Sequence, residues 1–271
     1  EDQYMPLSLN TKGWNDKESN RTTANSSKNF GVTTTHTLTF VPVFKNPDHS
    51  LSMMLRGQLT SGQSTSQSTV TWGTPSGPIQ STGANGIVDG MNTGSGQWRS
   101  IYLTYSAHYA YKGRYVADFS LRRDGTTKFG ADKRWGTFPA LSVRWNVSRE
   151  PWFNKALPWV SMLSIRPGWG IVGKQPGSEY LYFSKYAIGK GYLSQGSIYP
   201  QNIRMKNLKW EQKETYNIGA DFGLFEDKIN GNVEVYRQYT SDLLMQNRGI
   251  PTSSGYPHLL WQNVGNMENV G

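Results

Sequence analysis

Cysteine is absent from the 271 residues, so no disulfide framework staples the chain, as suits a bacterial surface or periplasmic route and equally a reduced compartment. Long apolar runs are missing as well. No stretch approaches the roughly 20 apolar residues that a membrane helix needs, and mean hydropathy is −0.61. Histidine is scarce. His36, His49, His108 and His258 lie far apart, without HExxH or any other metal-ligand spacing. Neither a GxSxG elbow nor a phosphate-cradling GxxxxGK[ST] is present. Glu211 and Glu214 sit at the mouth of a strand with no partner carboxylate at matching depth, and read as solvated. The expectation is therefore no enzyme, no cofactor and no metal site. A basic stripe is lacking too. The net charge is +9, but Lys and Arg are scattered from Lys12 to Arg248 rather than gathered on one face, which argues against nucleic acid. A basic surface beside an acidic outer leaflet is sufficient reason for the charge. The chain opens Glu-Asp-Gln without a charged n-region or apolar h-region, so any export signal is expected to be removed or to lie outside it.

What is abundant is alternation. Tyr115, Ala117, Phe119 and Leu121 share one face, and Val116, Asp118, Ser120 and Arg122 the other. On the return, Pro139, Leu141, Val143, Trp145 and Val147 oppose Phe138, Ala140, Ser142, Arg144 and Asn146. A period of two marks strands with one apolar and one wet face. The pattern predicts strands near 36–44, 51–59, 98–110, 114–123, 137–147, 162–172, 212–225 and 228–240. About 9–13 residues each suits strands tilted across a bilayer. Tight turns at Lys112-Gly113 and Glu226-Asp227-Lys228, and a short one at 45–48, alternate with long segments at 60–97, 173–211 and beyond 241. The connection 149–161 is intermediate, with room for a helical turn around Pro151-Trp152-Phe153. Ser/Thr/Gly/Gln-rich sequence at 60–69 and 81–97 reads as loop. Aromatics gather at strand ends: Tyr109, Tyr111 and Tyr115, then Trp145, Trp152 and Trp159, then Phe222 and Phe225. Such a rim fits a headgroup-level girdle. A soluble β-sandwich, such as a carbohydrate-binding module, would bury the same rings and stays open as the alternative.

Four blocks carry a family resemblance. Arg123-Asp124-Gly125-Thr126-Thr127-Lys128-Phe129-Gly130, with Arg134-Trp135-Gly136-Thr137-Phe138-Pro139 and Trp145, is the first. Gly168-Trp169-Gly170-Ile171-Val172-Gly173-Lys174-Gln175 is the second, with Lys174 where Asn is usual. Asn207-Leu208-Lys209-Trp210-Glu211 with Asn217-Ile218-Gly219-Ala220-Asp221 is the third, and Ile250-Pro251 through Gly255-Tyr256 to the Asn263–Gly271 segment the fourth. Together, in this order, they resemble the barrel of SusC/RagA-type TonB-dependent outer-membrane transporters of Bacteroidota. The resemblance covers about 114 to the end.

It implies an all-β fold, a transmembrane antiparallel β-barrel of 22 strands closed by an N-terminal plug. Residues 1–271 are then expected to form a segment of that wall, with the plug and remaining strands outside the chain; closure of eight strands into a small barrel of their own is the lesser alternative. The family imports glycans or oligopeptides with a SusD-like surface lipoprotein as lid, drawing energy from TonB-ExbB-ExbD through the plug. Contact with lipopolysaccharide, and pairing of two transporter–lipoprotein units, are also implied. The polar-face residues expected to line the lumen and touch cargo are Asp118, Arg122, Arg144, Arg166, Asn217 and Asp221; the plainer role for each is a salt bridge to a neighbouring strand, because buried charge needs partners. In the first block, Arg-Asp-Gly reads as a turn, with Phe129 and Trp135 packing to fix a loop whose Lys128, Lys133 and Arg134 could meet anionic groups.

Overall fold

The computed structural model describes residues 2–5, 21–73, 86–190, 196–256 and 258–271. Strands dominate it. A ten-stranded sheet takes β1 (Asp2–Met5), β2 (Arg21–Phe40), β3 (His49–Trp72), β4 (Ile87–Tyr111), β5 (Tyr115–Thr126), β6 (Trp135–Asn146), β7 (Val160–Lys174), β10 (Glu211–Leu224), β11 (Ile229–Ser241) and β14 (Met267–Val270) in that spatial order. Two separate hairpins, β8 (Lys185–Lys190) with β9 (Gly196–Asn202) and β12 (Leu244–Gly249) with β13 (His258–Asn263), are set into the long connections. By its contacts the chain divides into two compact units, 1–32 with 60–98, and 33–59 with 99–271.

All eight anticipated strands are present, but three are much longer than expected. Residues 60–72 and 87–97, read from composition as loop, are strand, while 81–85 lie outside the described residues. Ser and Thr suit an extended backbone; what these stretches lack is an apolar face, and that lack made them look like loop. Their ladder to neighbouring strands satisfies the backbone without it.

The turns at one end are chemically specified. Lys112 and Gly113 both adopt positive φ, 52° and 61°, and Arg114 N–H donates to the Tyr111 carbonyl at 2.9 Å, giving the twist-matched hairpin turn. The Asn146 amide closes the next strand against it, donating to the Gly113 carbonyl at 2.7 Å. In the intermediate connection, Val147–Arg149 forms a 3₁₀ turn and α1 (Phe153–Ala156) a single helical turn. Val147, Phe153 and Val160 are buried there against Trp145, Leu163 and Leu224.

The long-loop end holds a second core. Phe129, Phe138, Leu181, Leu208 and Trp210 are buried together. Two glycines open the space: a Cβ on Gly136 would stand 2.4 Å from the Phe138 ring, and one on Gly173 2.0 Å from it. Among the described residues, the buried apolar side chains other than Pro176 belong to one or other of these two end clusters. The sheet between them has no interior.

Candidate functional site

Strand pairing fixes two faces. β5 pairs β6 with Phe119 opposite Leu141, β6 pairs β7 with Leu141 opposite Trp169, and β7 pairs β10 with Trp169 opposite Tyr216. Ile218 and Val235 are opposed on β10 and β11. Much of the apolar row is exposed, with Leu103 at 48 %, Phe119 at 40 %, Ile218 at 54 % and Val233 at 59 %, while Val143 and Trp169 are half-buried. A water-soluble sandwich would bury it. An apolar solvent on that side removes the cost, which favours the membrane reading.

At the short-turn end this face carries a chain of rings. Phe44 meets His49 at 6.0 Å, His49 meets Tyr111 at 4.9 Å, Tyr111 stacks on Tyr115 at 6.5 Å, and Tyr115 stacks on Trp145 at 6.4 Å. Trp159 meets Phe225 at 6.1 Å on the neighbouring turn. Glu150 anchors the rim. Its Oε1 accepts from the Tyr115 hydroxyl at 2.6 Å and from the Trp145 Nε1–H at 3.1 Å, and Arg114 approaches Oε2 at 3.5 Å. The Tyr115 hydrogen bond, then that of Trp145 and the charge of Arg114, hold the Glu150 carboxyl below the usual carboxylate range, although burial opposes them.

Toward the other end of the same face, Trp169 Nε1–H and the Tyr216 hydroxyl both donate to Glu214 Oε1, at 2.8 and 2.6 Å. Trp135 lies across Gly125, where a Cβ would meet its ring at 2.8 Å, with the Arg123 guanidinium 5.2 Å above it. Trp135 thus faces outward at 51 % exposure and does not pack inside the loop. Arg123-Asp124-Gly125 is not a turn either: it continues β5, with Gly125 opposite Trp135. Phe129 does fix the loop, from the buried core. Lys128 is turned inward, its Nζ donating to the Pro176 carbonyl at 3.2 Å.

The opposite face is polar, and all six lumen candidates stand on it. The register gathers three of them. Asp221 on β10 accepts from Arg144 on β6 at 3.0 Å and Ser164 on β7 at 2.9 Å through Oδ2, and from Arg166 on β7 at 2.6 Å through Oδ1. The other three stay apart. Asp118 is bonded to His108 Nδ1 at 2.6 Å, Arg122 to Asp124 at 2.7 Å, and Asn217 to Glu234 at 2.9 Å. Above the Asp221 cluster runs an open groove of about 480 Å³, lined among others by Ser106, His108, Asp118, Ser120, Ser142 and Asn217. Its walls offer hydroxyls, an amide and one imidazole–carboxylate pair able to hydrogen-bond a polar chain, interleaved with apolar groups of Met54, Phe119, Leu141 and Trp169. Among the described residues no His/Cys/Asp/Glu group could hold a metal ion.

Sequence reasoning missed Glu211. It is buried; Oε2 accepts the Leu244 N–H at 2.8 Å, and Oε1 takes Lys174 Nζ at 3.4 Å. Beside it the Asn263 amide accepts from Lys209 N–H at 2.9 Å and donates to the Lys209 and Asp242 carbonyls at 2.8 and 2.9 Å. The third motif block is thus a clasp: Leu208 and Trp210 point into the core, while Lys209 and Glu211 tie the two long connections together.

A family model described as "TonB dependent receptor-like, beta-barrel" matches residues 2–271. The TonB-dependent receptor SusC of Bacteroides thetaiotaomicron is 37 % identical over 171 residues, covering 60 % of this chain and 17 % of that protein. The TonB-dependent receptor P39 of Formosa agariphila is 34 % identical over 163 residues, 60 % of this chain and 15 % of its own. The chain thus spans about a sixth of the length of these curated relatives. Among solved structures, the RagAB peptide transporter matches with a TM-score of 0.79 at 19 % identity, over 93 % of this chain and 28 % of that one. The RagAB peptide importer in its closed-closed state gives 0.78 at 18 %, over 92 % and 28 %. At that identity the likeness speaks for the fold.

Proposed function

Because the chain belongs to the TonB-dependent receptor β-barrel family of the bacterial outer membrane, we propose that it forms part of the wall of a nutrient importer, in which residues 1–271 are barrel and a separate plug closes the lumen. Its apolar face meets lipid and its polar face meets cargo. The cargo is an oligosaccharide or oligopeptide too large for diffusion through a porin, taken up with a SusD-like surface lipoprotein and driven by TonB-ExbB-ExbD. Oligopeptides are the cargo of the RagAB importer whose fold this chain shares. Oligosaccharides suit the hydroxyls of the groove equally well. Asp118, Arg122, Arg144, Arg166, Asn217 and Asp221 are the cargo-facing set. The observation that carries the reading is the exposed apolar row on one side of strands whose other side carries ion pairs, within a family-model match over residues 2–271. No step of this function makes or breaks a covalent bond.

Uptake in the native host tests it. Cells lacking the gene should lose import of fluorescent oligopeptides or oligosaccharides of about four or more units, and cells lacking TonB should lose it equally. Import that survives either deletion for every such probe would end the importer reading, and release of the protein from membranes by carbonate without detergent would end the membrane one.

A further inference from the structure

Arg144 and Arg166 occupy adjacent strands on the polar face. The pairs Ser142 with Gly168 and Trp145 with Ile165 bracket them, so two like charges stand side by side, an arrangement that costs stability unless an anion lies between them. Asp221 is such an anion, shared by both, but one carboxylate balances one guanidinium. Within the cluster two guanidiniums face one carboxylate. Of the other carboxylates nearby, Asp118 is bonded to His108, Asp124 to Arg122, and Glu234, across Gly219 from Arg166, to the neutral Asn217 amide.

The cluster also keeps an unused donor. Arg166 Nε is buried and has no hydrogen-bond partner, although burying an unpaired polar atom is costly. The guanidinium lies over Gly219, where a Cβ would stand at ordinary contact distance, 3.4 Å from its terminal nitrogen. Both arginines remain open on the far side, at 47 % and 38 % exposure, one row from the groove walled by Ser142, Gly168 and Asn217. Guanidinium nitrogens accept planar, two-oxygen anions better than any other side chain does.

We propose that Arg144 and Arg166 form a binding site for a second carboxylate, presented from the interior side of the wall. Two sources supply such a group: an acidic cargo, or an acidic side chain from another part of the transporter. The site rests on the importer reading for its occupant and on the wall's own geometry for its chemistry.

Zero-length coupling in outer-membrane vesicles carrying the full-length transporter separates the sources. R144K keeps the charge and supplies an amine that a water-soluble carbodiimide joins to any touching carboxylate, and R166K is run beside it in case one variant assembles poorly. Mass spectrometry then names the partner. Coupling to an Asp or Glu elsewhere in the polypeptide supports the site with an internal occupant. Coupling only after adding triglutamate or trigalacturonate supports it with cargo as occupant; then R144Q/R166Q should slow import of triglutamate at least tenfold more than import of a neutral tripeptide. Coupling to Asp221 alone in both variants, with and without the probes, overturns the proposal. TonB-dependent import of the neutral tripeptide in the same cells tells that failure apart from a failure of the importer reading.

Discussion

The sheet wall and the core at the long-loop end are stabilised in opposite ways. Phe129, Leu208 and Trp210 are withdrawn from solvent and gain what any water-soluble core gains. Leu103, Phe119, Ile218 and Val233 are only half withdrawn, and their open sides depend on meeting a solvent as apolar as themselves. One polypeptide therefore builds a small globular core where its loops stand in water, and none where its strands stand in lipid. The wall instead puts its specificity on the polar face, where Arg144, Arg166 and Asp221 find each other across three strands.

The comparison can be broken from the core side first. Trp210→Ala should cost about 3–5 kcal/mol locally, read as accelerated proteolysis of the 174–211 and 241–267 connections. The barrel itself should keep its folded gel mobility, since Phe138 of β6 meets that ring at 5.4 Å while the ladder of β6 with its neighbours forms without it. Collapse of both would mean that wall and core are one cooperative unit. From the wall side, Phe119→Arg should destabilise by roughly 2–4 kcal/mol in a bilayer, while Ser120→Arg, one residue away, should cost little. Labelling by a water-soluble maleimide at Phe119→Cys but not at Ser120→Cys would reverse the assignment of faces.

Smaller effects probe the ion pairs. Asp221→Asn leaves two half-exposed guanidiniums without their shared anion, and should cost about 1–2 kcal/mol after allowance for solvent screening. Thermal midpoints should fall less at high salt; a salt-independent loss would point to packing instead. Smallest is Glu150→Gln. The folded-state carboxyl lies below its ordinary range, so its contribution is present above the ordinary carboxylate pKa and lost as pH falls through the depressed value. The wild type should therefore lose stability in that acid window and the variant should lose less, with equal slopes counting against the Tyr115–Glu150 contact as an anchor.

Where the sequence was legible, the reason was periodicity. β5, β6, β10 and β11 carry apolar residues at every second position, and the lipid–lumen alternation was readable in each. β3 and β4 were half hidden, because 60–72 and 87–97 alternate nothing against nothing: with both faces polar, only the ladder reveals the strand. The six candidates share the polar face, yet their partners were invisible. Arg144 and Asp221 are 77 positions apart, and only the register of three strands brings them together. Glu211 was misread for the same reason, since its partners, the Leu244 N–H and the Lys174 side chain, both lie more than thirty positions away along the chain. The Arg-Asp-Gly block misled in another way, because a turn-like composition can sit inside a strand when Trp135 needs the glycine's open side.

The strict two-residue register of the wall sets a rule for how such proteins can change. Inserting one residue into β5 would carry Asp118 and Arg122 into lipid and Phe119 into the lumen, so tolerated length changes within a strand come in pairs, whereas the 174–211 and 241–267 connections can grow by any number. Substitution is similarly free if it conserves only the parity of polarity. Lineages can thus drift to 18–19 % identity, as with the RagAB structures, and still superpose at a TM-score near 0.8. Inheritance in this wall is of a binary pattern more than of particular residues, and new cargo preferences are expected to arise by exchanging lumen side chains and loops over an unaltered count of strand positions.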